Sequence, residues 1–424
     1  MIYKIKIILQ SVLIGLATGL IVSAYRYILE KSACFLTAVY QLQRENLFLI
    51  PCWFLLLILS GLIIGKIVIK VPIIKGSGIP QVKGVLEDKM TMNWQETLLG
   101  KFFGGVLAVG LGMSLGREGP SIQLGAAAGQ GVSRIFRNLP AEEKYLITAG
   151  ASAGLAGAFN APLAGVMFAL EEIHKSFAVK IILSAFTASL ASDFVAQNFF
   201  GLKPIFNFLE ITALPFKYYP YLFLLGIILG LSGIIFNQLI FRTQDFWQKH
   251  LKLPLVCRPV LPLLLTGLIG FVMPQVLGGG NNLIASLHGS NFLLHTLILF
   301  LIAKLLLTAV CYASSAPGGI FLPLLAIGAL IGNIYSLSLT IIFQLPEIYQ
   351  SAFIALAMAG YFTAIVKSPL TGIILISEMS GSFQHMLALS LVSVTAYLTT
   401  ELFHSRPIYS ELLERMLNAK KAAD

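Results

Sequence analysis

The stretch Gly116-Arg117-Glu118-Gly119-Pro120, continued by Gly125, Ala126 and Gly129, returns about 203 residues later as Gly319, Pro323, Gly328, Ala329 and Gly332. Lys101 falls on Lys304 at the same offset. At about 207, Pro162-Leu163-Ala164-Gly165 falls on Pro369-Leu370-Thr371-Gly372 and Glu171 on Glu378; near 202, Gly76-Ser77-Gly78 falls on Gly278-Gly279-Gly280. Several matches in one order at nearly one offset mark an internal repeat. The halves are expected at residues 1–210 and 211–424, with no separate soluble domain. Duplicated halves with helix breaks at matching places are a transporter architecture, with the substrate held near the bilayer midplane where half-helices meet. The offset leaves open whether the halves run parallel or inverted.

Composition places the repeat in a membrane. Of 424 residues, 29 are Lys or Arg and 19 are Asp or Glu, so 11% are charged, against about 25% in soluble domains. The hydrophobic share is 57%. A soluble, disordered or collagen-like chain is excluded, and so is a nucleic-acid binder, because the basic residues form no patch. A spanning helix needs about 20 apolar residues. Charge-free runs of that order occur at Ile7–Tyr25, Tyr218–Phe241 and Met379–Thr400, and Pro259–Pro346 contains one charged residue, Lys304. Such runs supply roughly ten or more helices, many cut by the 38 Gly and 18 Pro. Broken backbone in an apolar chain is tolerated only where it lines a cavity or is buried in protein.

Small residues recur four apart at Gly15/Gly19, Gly61/Gly65, Gly125/Gly129, Gly226/Gly230 and Gly328/Gly332, which predicts close helix packing. The N-terminus imitates a signal peptide, with Val22-Ser23-Ala24 in the place of a cleavage site, yet a retained first span fits better. Lys4, Lys6, Arg406, Arg415, Lys420 and Lys421 lie at the ends, so both termini are expected in the cytoplasm. Cys34, Cys52, Cys257 and Cys311 form no paired motif, and no metal site is expected.

Three breaks share one design: Gly76-Ser77-Gly78-Ile79-Pro80, Gly116-Arg117-Glu118-Gly119-Pro120, and Gly318-Gly319-Ile320-Phe321-Leu322-Pro323. Each ends in a proline suited to a first helical turn and precedes an apolar run. Several helix N-termini aimed at one point focus partial positive charge without a full cation. Such a site holds an anion loosely enough for it to leave again.

Glu118 is the second signal. A carboxylate within an apolar stretch costs about 2.5–3.5 kcal/mol on insertion scales and marks function by default. Ionised, it competes with an anion for the helix N-termini; protonated, it withdraws. One group then couples two ions. The alternative is a plain pairing with Arg117. Glu171 and Glu172 close the run Leu163–Leu170, where adjacent carboxylates usually form a solvated helix end, with proton entry as the functional alternative.

Together these motifs resemble the CLC chloride channel and transporter family over nearly the whole chain. The resemblance implies an all-α polytopic membrane protein of two inverted repeats of broken, tilted helices, in a homodimer with one pathway per subunit. It implies that Ser77, with Gly78 beside it, faces the central anion and that Glu118 gates. It puts the backbone of Ile320 and Phe321 at the anion and makes Tyr409, within Arg406-Pro407-Ile408-Tyr409-Ser410, the coordinating tyrosine. Gly76, Pro80, Gly116, Arg117, Gly119, Pro120, Gly319 and Pro323 are the supporting motif residues. Glu172 matches the inner proton-relay glutamate of the family's exchangers, which favours an antiporter, and serine at position 77 favours chloride. The implied function is chloride/proton exchange in the inner (plasma) membrane of a prokaryote. Chloride is then a bound substrate, and neither cofactor nor metal is expected. Gln81 departs from the pattern, since many members have Glu there.

Two rivals remain. A passive voltage- or pH-gated chloride channel shares every anion motif, and Glu172 argues against it. An intramembrane serine hydrolase is suggested by Gly150-Ala151-Ser152-Ala153-Gly154 and by Gly230-Leu231-Ser232-Gly233. A hydrolase elbow needs a strand before it, and small-residue packing explains both serines better.

Overall fold

Apolar runs interrupted by Gly and Pro fold into helices of very unequal length. The computed structural model describes residues 2–206, 211–251, 253–288 and 292–421. The expected boundary at Glu210, and the side chains of Lys4 and Lys420, lie outside what is described. The first half contains α1 (Ile2–Glu45), α2 (Leu49–Lys70), α3 (Ile79–Leu86), α4 (Trp94–Gly110), α5 (Glu118–Ile135), α6 (Pro140–Phe159), α7 (Pro162–Phe168) and α8 (Val179–Phe200). The second contains α9 (Tyr219–Lys249), α10 (Val260–Val272), α11 (Asn281–Leu287), α12 (Leu294–Ala313), α13 (Phe321–Phe343), α14 (Gln350–Val366), α15 (Pro369–Ser380), α16 (Met386–Leu402) and α17 (Ile408–Lys421). Among the described residues α1, α2, α8, α9, α12, α13 and α14 are long and apolar enough to cross a membrane, and α10, α15 and α16 are shorter apolar helices. This is an all-α, multi-pass membrane protein. The signal-like segment lies in the middle of α1, with Val22 and Ser23 buried.

The glycine pairs sit at helix crossings. A Cβ on Gly15 or Gly19 would strike α8 at Ala188 and Ser192, and one on Gly226 or Gly230 would strike α16 at Thr395 and Thr399. Likewise Gly125 and Gly129 meet Gly150 and Leu146 of α6, while Gly328 and Gly332 meet Ala357 and Phe353 of α14. Crossings thus recur in matching places of the two halves, as close packing between small residues requires.

The halves also exchange carboxylates. Glu171 accepts the N–H groups of Leu370 (3.3 Å) and Thr371 (2.8 Å) and the Thr371 hydroxyl (2.7 Å) at the start of α15. Its repeat counterpart Glu378 accepts the N–H groups of Leu163 (3.1 Å) and Ala164 (2.7 Å) at the start of α7. Where residue i serves j's neighbour and j serves i's, the two copies are related by a two-fold operation. Each carboxylate satisfies orphan helix donors that a short, Pro-started helix cannot satisfy itself. Glu378→Ala should therefore cost about 1 kcal/mol, with a range of about 0.5–2 kcal/mol for a lost cap. A lowered denaturation temperature in detergent would register it, whereas an unchanged one would deny the cap any weight.

Candidate functional site

Gly76 and Gly78 flank Ser77 with φ of +59° and +94°. That backbone disfavours any other residue, and a Cβ on Gly78 would also overlap the Gln123 side chain. The loop turns directly into α3, with Pro80 in the first turn. Beneath it the buried Lys101 ammonium donates to the carbonyls of Ile74 (2.9 Å) and Gly76 (2.7 Å). The second half repeats the arrangement: Lys304 donates to Val276 (2.9 Å) and Gly278 (2.6 Å). Two buried lysines therefore brace two homologous loops, a role their matching positions alone did not reveal.

The second and third breaks meet each other. Gly116 N–H donates to Gly319 O (2.6 Å), and Gly319 N–H donates to Gly116 O (2.8 Å). This reciprocal pair lies on the pseudo-two-fold relation and sets the first turns of α5 and α13 side by side, with Glu118 and Phe321 as their first residues. The first break joins them through Gly318 N–H to Gly76 O (2.9 Å). Ser77 lies against α5, since a Cβ on Gly119 would overlap the Ser77 hydroxyl and carbonyl. Helix starts from both halves, with their unpaired first-turn N–H groups, converge there.

The Ser77 and Tyr409 hydroxyls are fully buried with no hydrogen-bond partner among the described residues, and the buried Glu118 carboxylate has no side-chain donor among them. Buried polar atoms are nearly always paired, and the unpaired Tyr312 hydroxyl and Gln123 carbonyl oxygen lie at the same loop, against Gly76 and Gly78, so the place has room for a polar or ionic guest. The Glu118 carboxylate lies over Gly116, beside the backbone nitrogen of Leu322 in α13. An ionised carboxylate there sits in the field of both helix starts.

Arg117 makes a long ion pair with Glu118, its nearest nitrogen 4.0 Å from the carboxylate and outside hydrogen-bond range, while its Nη1 donates to Glu30 (3.0 Å). Glu30 is shared with Arg26 (2.9 Å), which also holds Asn160 (2.7 Å). A cavity of about 370 Å³ opens beside this cluster, lined in part by Glu30, Arg117, Gly279, Asn281 and Leu322.

Tyr409 is the second residue of α17 and meets the edge of Phe168 (6.3 Å between centroids), which packs on Phe321 (5.6 Å). Phe321 in turn packs on Phe362 (4.8 Å) and Phe159 (5.5 Å). An aromatic cluster thus links Tyr409, through Phe168, to the first residue of α13.

Glu172 lies apart from these, in a wider π-type turn, Ala169–His174, that prolongs α7. The expected solvated helix end is not found: Glu171 caps α15, and Glu172 is buried in an ion pair with Lys83 (2.9 Å). The Lys83 ammonium also donates to Ser410 (2.7 Å). Lys83 escaped the sequence reading, although a lysine five residues after the Ser77-Gly78 turn, in an otherwise uncharged helix, was its available signal. The two serines of the hydrolase patterns are occupied in packing: Ser152 bonds Ser189 (2.6 Å), and Ser232 donates to Leu229 O (3.1 Å).

A family model described as voltage gated chloride channel matches residues 60–401. The chain belongs to the CLC family. An H(+)/Cl(-) exchange transporter, ClcA, of Salmonella paratyphi B is 34% identical, covering 99% of this chain and 90% of that protein. The protein of the same name from Salmonella arizonae is also 34% identical. Among solved structures, a slow cyanobacterial Cl-/H+ antiporter has a TM-score of 0.90 at 29% identity, covering 97% of this chain and 98% of that one. A CLC-type fluoride/proton antiporter has a TM-score of 0.75 at 25% identity, covering 95% and 96%. The inverted-repeat helical architecture implied by the resemblance is that of the family, and these CLC relatives are transporters rather than enzymes.

Proposed function

We propose that this chain exchanges chloride for protons across a membrane. The observation that carries the reading is the meeting of the Ser77 loop with the starts of α5 and α13, where the buried Ser77 hydroxyl has no partner among the described residues and the Glu118 carboxylate has no side-chain hydrogen-bond donor. In this reading chloride is the substrate and no cofactor takes part. The Ser77 and Tyr409 hydroxyls, with backbone donors near Gly78, Ile320 and Phe321, replace part of the ion's hydration shell. Gly76, Pro80, Gly116, Gly119, Pro120, Gly319 and Pro323 shape the backbone that presents them. Fixed dipoles rather than a full cation keep the ion exchangeable.

Glu118 is the shared element. Ionised, it takes the anion's place between the starts of α5 and α13; protonated, it leaves that place and carries the proton. Arg117, engaged by Glu30, leaves it free to do so. Glu172 passes protons between Glu118 and the cytoplasm. Residues 1–210 and 211–424 are the two inverted halves, both termini are cytoplasmic, and the molecule is a homodimer in the bacterial inner membrane with one pathway per subunit. The names of the 34% identical ClcA relatives support exchange over passive conduction.

The test is thermodynamic. In sealed vesicles containing the purified protein, an outward chloride gradient should drive protons inward against their own gradient, read as a pH change with a chloride electrode in parallel. Chloride flux with no uphill proton movement would leave a channel in place of an exchanger.

A further inference from the structure

Lys83 has two partners on two other elements, and this joins the proton half of the proposed mechanism to its anion half. Its ammonium is 2.9 Å from Glu172 Oε1 and donates to the Ser410 hydroxyl at 2.7 Å, and both members of the ion pair are 3% exposed. Lys83 belongs to α3, the helix that opens at Ser77; Ser410 follows Tyr409 in α17. A buried pair gains little stability over an apolar pair of like volume, so its charge, rather than its strength, is what distinguishes it from packing.

We propose that Lys83 is a positioning residue that balances the proton relay against the bound anion. While Glu172 is ionised, the pair has no net charge and does not repel chloride near Tyr409. A proton taken from cytoplasmic water turns the carboxylate into a carboxylic acid. The ammonium keeps its charge and its bond to Ser410, so the pair gains one positive charge beside the anion site. By linkage, proton arrival then favours the anion, and a bound anion favours the proton equally. This rests on the reading of Glu172 as the relay. Other charges in reach of Glu172 are Lys175 and Glu171 on its own turn, with the Tyr409 phenol on α17. His174 on that turn is held by Thr148 of α6 (2.7 Å), and the neighbouring Lys144 is paired with Asp88 (2.5 Å).

Chloride affinity, measured by titration calorimetry on the purified protein, tests the charge balance without relying on transport. Glu172→Gln leaves Lys83 as a lasting positive charge and should bind chloride roughly threefold or more tightly than the native protein, the order expected of one added, partly screened charge. The double variant Lys83→Met/Glu172→Gln has neither charge and should return to native affinity. Lys83→Met leaves a lone carboxylate and should bind chloride weakly at high pH, recovering as the pH falls. Lys83→Arg should behave as native. If Lys83→Met fails to fold, the comparison of Glu172→Gln with the double variant still decides. Affinities that agree within about twofold across the set, or a Lys83→Met affinity insensitive to pH, would overturn the inference. Proton transport by the same Glu172→Gln protein separates the two claims: if protons still move, the relay reading fails, whatever the order of affinities.

Discussion

Glu118→Gln is expected to abolish proton movement, down to the level of protein-free vesicles, and to leave a chloride pathway that ignores pH. The amide has the shape of a protonated carboxyl and neither gains nor loses a proton. The native carboxylate lies over Gly116 beside the Leu322 nitrogen, between the starts of α5 and α13, with no side-chain donor committed to it. Its hold on that position therefore depends on negative charge in the field of two helix N-termini. An amide has no such hold, so the position falls to the anion. The exchange cycle needs one group to alternate between blocking chloride and bearing a proton, and after the substitution nothing does. The substitution should not unfold the protein, because the reciprocal Gly116–Gly319 backbone bonds and the packing of Gly119 on Ser77 do not involve the carboxylate. Chloride efflux that keeps its native pH profile, or any uphill proton flux, would remove Glu118 from the centre of the mechanism.

How far the site could be read in advance depended on whether its parts carried local chemistry. Gly76, Gly78, Pro80 and Pro120 announce helix starts because only certain residues tolerate those backbones, and Glu118 announces itself because a carboxylate among apolar residues is costly. Repetition then paired Gly116 with Gly319, and the structure bonds those two glycines to each other. The same repetition matched Glu171 with Glu378 but could not show that each caps a helix of the other half, since a sequence offset says nothing about the direction in which one copy faces the other. The Arg26–Glu30–Arg117 cluster was illegible for a related reason. Arg117 had one visible neighbour, Glu118, and its hydrogen-bonded partner Glu30 lies 87 residues away in sequence. Tyr409 needed resemblance to be found, because a tyrosine at a helix start is ordinary until Phe168 is seen to link it to Phe321. Lys83 is the sharpest case. A lysine in a short helix reads as a solvated face, yet Lys83 is buried in an ion pair with Glu172.

Glu172→Gln separates the two carboxylates, because it should stop proton transport as completely as Glu118→Gln while leaving chloride flux dependent on pH. Glu172 touches no part of the helix-start cluster. It is buried in the π-type turn that prolongs α7 and paired there with Lys83. A proton coming from the cytoplasm needs a titrating group at that depth, since no charged form crosses apolar packing cheaply. An amide at 172 closes this step and leaves the Glu118 carboxyl in place to titrate. Glu118 can still exchange protons with the opposite side, so the chloride pathway should open as the pH on that side falls. Acidifying each side of oriented vesicles in turn distinguishes the variants: the Glu172→Gln protein should respond on one side only, and the Glu118→Gln protein on neither. Proton flux surviving in Glu172→Gln would mean that the proton enters elsewhere, and the cytoplasmic half of the proposed path would have to be redrawn while the anion site stood.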